Sequence, residues 1–95
     1  IRCTLMRIRK ILIKFNVEEK INKKHGVYRE EIEDALLEGK PIFFRTKENK
    51  YIAITLKERY ITVIFSYENG TANIRTAYPS SNWQIKLYKR KRLRK

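Results

Sequence analysis

The chain has 95 residues, one cysteine, and 23 Lys or Arg against 10 Asp or Glu, for a formal net charge of +13. That length supports one domain with a modest core, a lone cysteine leaves no internal disulfide and fits a reducing, cytoplasmic setting, and no apolar run approaches the roughly 20 residues that span a bilayer. So large an excess of one sign repels itself and calls for a polyanionic or acidic partner, whereas heat adaptation through charge usually raises both signs together.

Met6 is the only methionine, and Met6-Arg7-Ile8-Arg9-Lys10 reads as a plausible native start. Residues 1–5, Cys3 among them, read equally well as an upstream extension of a domain over 6–95. Arg7 to Phe15 alternates, with Ile11, Ile13 and Phe15 on one apolar face, which predicts a strand. Asn16, with Glu19 three residues on, makes a capping-box pattern for a short helix from Val17 to Lys24. Gly26 ends that helix, just after the only histidine, His25.

Tyr28 opens a second helix with Ile32, Ala35 and Leu36 at helical spacing, crowded with Glu30, Glu31, Glu33, Asp34 and Glu38, and stopped at Gly39. Pro41 bars further helix, and Ile42 to Thr46 runs extended. The turn Lys47-Glu48-Asn49-Lys50 leads into Tyr51 to Leu56, and Lys57-Glu58-Arg59 turns again. Tyr60 to Tyr67 follows, with Ile61, Val63, Phe65 and Tyr67 on one face. Asn69-Gly70 favours a tight hairpin before the last strand, Thr71 to Tyr78. Ser80 or Ser81 can cap a closing helix from Asn82 to about Arg92, with a basic tail over 89–95. The order β-α-α-β-β-β-β-α predicts an α+β domain: an antiparallel meander of four to five strands with the helices on one face, two of them N-terminal and one C-terminal.

No His, Cys or carboxylate spacing suits a metal, and no glycine-rich loop suits a nucleotide phosphate, so neither a metal nor a cofactor is expected. The serines lack a convincing triad. What remains is a basic surface interleaved with tyrosines: Arg45, Lys50, Tyr51, Lys57, Arg59, Tyr60, Arg75, Tyr78 and Tyr88. Metal-free RNA cleavage needs a base for the 2′-OH proton, a cation for the pentavalent phosphorus, and an acid for the leaving oxygen. Those residue types can fill the three roles, and a tyrosine can stack on an unpaired base.

Plainer readings stand beside these. His25 before Gly26 can serve only the helix end, where cations are favourable. Arg75 shares a strand face with Asn73 and Ala77, opposite the apolar Ile74, and can be a solvated charge. Tyr78 falls on the Ile74 face at the strand end, where half-buried packing serves as well. Lys57 and Arg59 can be solvated turn residues, and Trp83, Ile85 and Leu87 read as packing groups.

Lys24-His25-Gly26-Val27 between two short helices resembles the corresponding junction of the BrnT-like toxins of the RelE superfamily. The opening strand, the Glu31-to-Leu36 helix, the Tyr60-to-Phe65 strand, and Ile74-Arg75-Thr76-Ala77 leading on to Tyr88 are similar to that family in the same order. A second group, DUF4258-like, is similar in its helix-then-meander pattern. The resemblance implies a RelE-like fold, a type II toxin that cleaves RNA without metal, and inhibition by a cognate antitoxin, acidic or DNA-binding, through which oligomers form. With the resemblance, Arg75 is expected beside the His25 junction and the Lys57/Arg59 turn, for a catalytic set of His25, Lys57, Arg59, Arg75 and Tyr78. The basic surface and tail read from the residues themselves are expected to hold RNA through Arg45, Lys50, Tyr51, Tyr88, Lys89, Arg90, Lys91 and Arg92. Tyr78-Pro79 with Asn82-Trp83 departs from the arginine-rich segment expected there. A non-catalytic RNA- or DNA-binding module, or an inactive toxin-like protein that pairs with an acidic partner, is the alternative.

Overall fold

The computed structural model describes residues 8–47 and 50–93. The proposed Met6 start, Cys3, the Glu48-Asn49 turn tip, Arg94 and Lys95 lie outside the described residues. Strands β1 (Lys10–Leu12), β2 (Ile42–Lys47), β3 (Lys50–Leu56), β4 (Tyr60–Glu68) and β5 (Thr71–Pro79) form one sheet in the order β1-β5-β4-β3-β2. Helices α1 (Phe15–His25) and α2 (Arg29–Leu37) follow β1, and α3 (Asn82–Leu93) closes the chain. The α+β class is as expected, and β2 to β5 form the antiparallel meander. The sheet as a whole is mixed, because β1 pairs parallel to β5, Lys10 to Leu12 against Thr71 to Asn73.

The first strand is shorter than its alternation suggests. Ile13 turns into the core at 9% exposure, while Phe15 is already the first residue of α1 and stands 74% exposed. Glu18 N–H bonds to the Lys14 carbonyl, so Lys14 is the helix-capping position and Asn16 lies inside the first turn without capping it.

The helices lie on both faces of the sheet, not on one. On the first face Ile21 of α1, Val27, and Ile32, Ala35 and Leu36 of α2 pack on Phe43, Ala53, Ile61, Val63 and Phe65. On the other, Tyr88 and Leu87 of α3 pack on Ile42, Phe44, Ile52, Ile54 and Leu56. Alternate strand residues point to opposite faces, so both parities of β2 and β3 are apolar. Phe65 is fully buried at the centre of the first core; truncation of such a ring to Ala costs about 3–5 kcal/mol.

A bulge in β5 decides where its side chains go. Ile64 pairs with Thr76 and Phe65 with Ile74, so Arg75 is the extra residue. The side-chain alternation shifts by one at that point. Ala72, Ile74 and then Ala77 join the α1/α2 core, which overturns the expectation that Ala77 opposes Ile74. Tyr78 leaves the Ile74 face and pairs with Thr62, on the side of α3.

Candidate functional site

α1 stops at His25 because Gly26 adopts φ +64, where a side chain is disfavoured, and its N–H closes on the Asn22 carbonyl at 2.9 Å. Lys23, Lys24 and His25 fill the last turn, at the end of the helix dipole that favours positive charge. The half-buried His25 ring meets that of Tyr78 with centroids 5.8 Å apart and planes tilted by 52°. Along α1, Lys20 and Lys24 stand one turn apart, and they line with His25, Arg75 and Thr76 a cleft of about 210 Å³ floored by Val17 and Ile21. It has three permanent cations and no carboxylate in its walls. The bulge places Arg75 here, exposed on β5 facing the end of α1.

Tyr78 is fixed from the α3 side. Gln84, only 3% exposed, donates through Nε2 to the Tyr78 hydroxyl at 3.1 Å. Its Oε1 accepts from the Ser81 backbone N–H at 2.9 Å and from the Thr62 hydroxyl at 3.0 Å. Ser81 thus receives half of a capping box from Gln84 three residues on. Because the Tyr78 oxygen accepts in this network, its own proton remains free to donate.

Lys57 and Arg59 belong to a different place. Arg59 donates to Glu31 from Nε at 2.6 Å and from Nη2 at 3.0 Å, and Nη2 also reaches the Gly26 carbonyl at 3.1 Å. The guanidinium therefore bolts the β3–β4 turn to the α1–α2 junction, and the bond to Glu31 raises its pKa above the ordinary value. Lys57 Nζ bonds Glu38 at 2.8 Å, which raises the lysine pKa and lowers that of the carboxyl. Both line a larger cleft of about 640 Å³, where Glu30, Glu31, Asp34 and Glu58 outnumber them. That cleft repels a polyanion, and each of the two cations already has a carboxylate partner.

The expected RNA-binding residues are dispersed. Arg45 is paired across the strands with Tyr51, and β4 separates the β3 residues Lys50 and Tyr51 from β5. Tyr51 stacks on Phe65, centroids 5.9 Å apart, and meets Tyr67 nearly at right angles, centroids 6.0 Å apart. Tyr88 is a correction: it is 4% exposed, packs edge-on against Tyr60, and donates its hydroxyl to the Lys40 carbonyl at 2.6 Å. No face of that ring is open to a base, and burial raises its pKa even though the nearby Arg92 lowers it. Lys89, Arg90, Lys91 and Arg92 are turns of α3 and no loose tail; Lys89 and Arg90 are exposed, Lys91 and Arg92 half-buried.

Of the five residues expected together, His25 and Arg75 share the cleft, Tyr78 touches the His25 ring, and Lys57 and Arg59 lie apart; Lys20, Lys24 and Gln84 were not among those expected. The Lys20–Lys24 spacing of four, ending beside His25, was the available signal for the two lysines. Gln84 as third residue of a helix capped by Ser81 was the signal for the third.

No protein-family model matches the chain, and no curated protein matches it significantly.

Proposed function

We propose that the chain is a BrnT-like toxin of the RelE superfamily, a metal-independent endoribonuclease whose active centre is the cleft between α1 and β5. The observation that carries this reading is the grouping of His25 with Arg75, Lys20 and Lys24 in a cleft free of carboxylates, on a chain of net charge +13. Imidazole exchanges protons near neutral pH, and a planar guanidinium donates two parallel bonds to phosphate.

In the proposed reaction the 2′-oxygen attacks phosphorus while His25 takes its proton. Arg75 and Lys24 neutralise the non-bridging oxygens as charge builds on them. The bond from phosphorus to the 5′-oxygen breaks, and the free proton of the Tyr78 hydroxyl passes to that oxygen. A 2′,3′-cyclic phosphate and a 5′-hydroxyl are left. Lys57 and Arg59 take no part and keep their carboxylates. A cognate antitoxin with acidic groups suits the same cations, and would silence the toxin by covering them.

Purified protein incubated with labelled RNA in EDTA tests the proposal. Fragments with cyclic phosphate ends support it, with loss of cutting in Arg75→Ala. Cutting only after divalent metal is added refutes the mechanism. Tight RNA binding with no cutting under any condition makes the domain a non-catalytic binding module.

A further inference from the structure

The largest exposed side chain that the core leaves unused is Trp83, the only tryptophan, which stands 65% exposed in the first turn of α3. Its helix neighbours behave differently: Gln84 and Tyr88 are buried, and Ile85 and Leu87 are half-buried. The indole makes no ring contact and no hydrogen bond with any described residue. A ring so placed contributes little to the fold.

Its surroundings are cationic. Lys86 and Arg90, three and seven residues on, share its helix face, and both are exposed. At 1.5 Å per residue they stand roughly 4.5 and 10.5 Å from it along the helix axis. Lys89 is exposed beside them, and α3 contains no acidic residue. An aromatic face next to a row of cations is the arrangement that grips single-stranded nucleic acid, the base stacking and the phosphates pairing with charge.

The position connects to the cleft. β1 covers β5 only over Thr71 to Asn73, so among the described residues no strand pairs with the outer side of Ile74 to Pro79. Tyr78 on that open edge touches His25 with its ring and Gln84 with its hydroxyl. Gln84 is the residue after Trp83, so the bonds that fix it also fix the first turn that carries the indole.

We propose that Trp83 is a stacking platform for an unpaired base of single-stranded RNA, with Lys86 and Arg90 holding the adjoining phosphates. The proposal rests on the RNA-directed reading above, and adds a second contact surface on the opposite face of the sheet. A strand held here crosses the open edge of β5 over Tyr78 to reach His25 and Arg75.

The lone indole gives a direct test. The full chain is titrated with a short 2′-O-methyl oligoadenylate, which cannot be cut through the 2′-oxygen, while tryptophan emission is followed. Saturable quenching is expected, and heparin, a polyanion without bases, should displace the oligonucleotide and restore the emission without quenching it. Trp83→Ala should weaken binding, read by anisotropy of a labelled oligonucleotide, by about 5- to 150-fold, with Trp83→Phe close to the parent and the thermal midpoint of both unchanged. Oligonucleotide binding without any change in emission, or equal affinity in Trp83→Ala, overturns the platform while leaving cleavage intact. Absence of any RNA binding or cutting by the parent chain overturns the platform and the ribonuclease reading together. Emission that responds to anionic vesicles and not to the oligonucleotide assigns the indole to a lipid surface and overturns the platform.

Discussion

Replacement of Arg75 by alanine separates chemistry from fold more sharply than any other change in the cleft. Arg75 is the extra residue of the β5 bulge, exposed, and forms no ion pair with a described residue. Surface positions of that kind change stability within about 0.5 kcal/mol, and for a domain of this size that moves the midpoint by roughly 2–4 °C at most. Under the proposed mechanism the effect on rate is of another order. Loss of one donor aimed at developing charge costs about 10²–10³ in rate, or roughly 2.7–4 kcal/mol. Arg75→Lys keeps the charge but loses the fork, and should fall between parent and alanine variant. The assay is single-turnover cleavage in EDTA, beside thermal unfolding of each variant. Lys50→Ala is the charge control: it removes the same unit of charge from an exposed site on β3, with β4 between it and β5. It should weaken binding slightly and leave the rate at saturation alone. An Arg75→Ala protein that melts far below the parent, or one that cuts RNA at the parent rate, refutes the assignment.

Arg59→Ala should lower stability by about 1 kcal/mol or less, because its bonds to Glu31 and Gly26 are solvent-exposed, with cutting retained within a few-fold; a loss of 100-fold at normal stability would return Arg59 to the active centre. Gly26→Ala should cost about 1 kcal/mol purely from the backbone, since its φ is +64 and nothing lies within 4 Å of an added methyl; chemical denaturation measures it, and Gly26→Asn should be milder. Tyr88→Phe removes the bond to the Lys40 carbonyl and should cost about 1 kcal/mol at neutral pH. Because burial raises the folded pKa of Tyr88 above its ordinary 10.0, stability tied to its neutral form is full below that value and is lost as pH rises through the raised one. Unfolding curves should therefore show the gap between parent and Tyr88→Phe narrowing above about pH 10, and a gap that widens there contradicts the burial argument.

Local chemistry was legible where a single residue dictates it. Gly26 marks the end of α1, and Asn69 and Gly70 adopt φ 51 and 83 in the tight β4–β5 turn that their dipeptide favours. Nonlocal facts were hidden to different degrees. The run Ile42-Phe43-Phe44 is buried throughout, and unbroken apolarity of this kind marks a strand covered on both faces, so the placement of α3 opposite α1 and α2 left a trace. The bulge at Arg75 left none, because any residue can fill the extra position and only cross-strand pairing with Ile64 and Phe65 reveals it. One inserted residue reverses the face of everything after it. Simple alternation therefore puts Tyr78 on the wrong side, whereas the bulged Arg75 is exposed as alternation predicts.

The charge of the chain is unevenly distributed, and this bears on how the two proposed RNA contacts work together. Around α2, positive charge is spent on neighbours: Arg29 on Glu33 and Glu18, Arg59 on Glu31, Lys57 on Glu38. The cleft formed by Lys20, Lys24 and Arg75 contains no carboxylate, and α3 has no acidic residue. Two basic surfaces without carboxylates therefore stand on opposite faces of the sheet, one in the α1/β5 cleft and one on α3. Exposed charges are screened within about 8 Å at physiological salt, so a polyanion must lie close to these surfaces to be held by them. Tyr78 links them, touching His25 on one side and Gln84 on the other. A strand anchored by a base on Trp83 would then reach His25 after a fixed length of backbone. The choice of scissile bond would follow from that span and from which base stacks, without any base being read by hydrogen bonds inside the cleft.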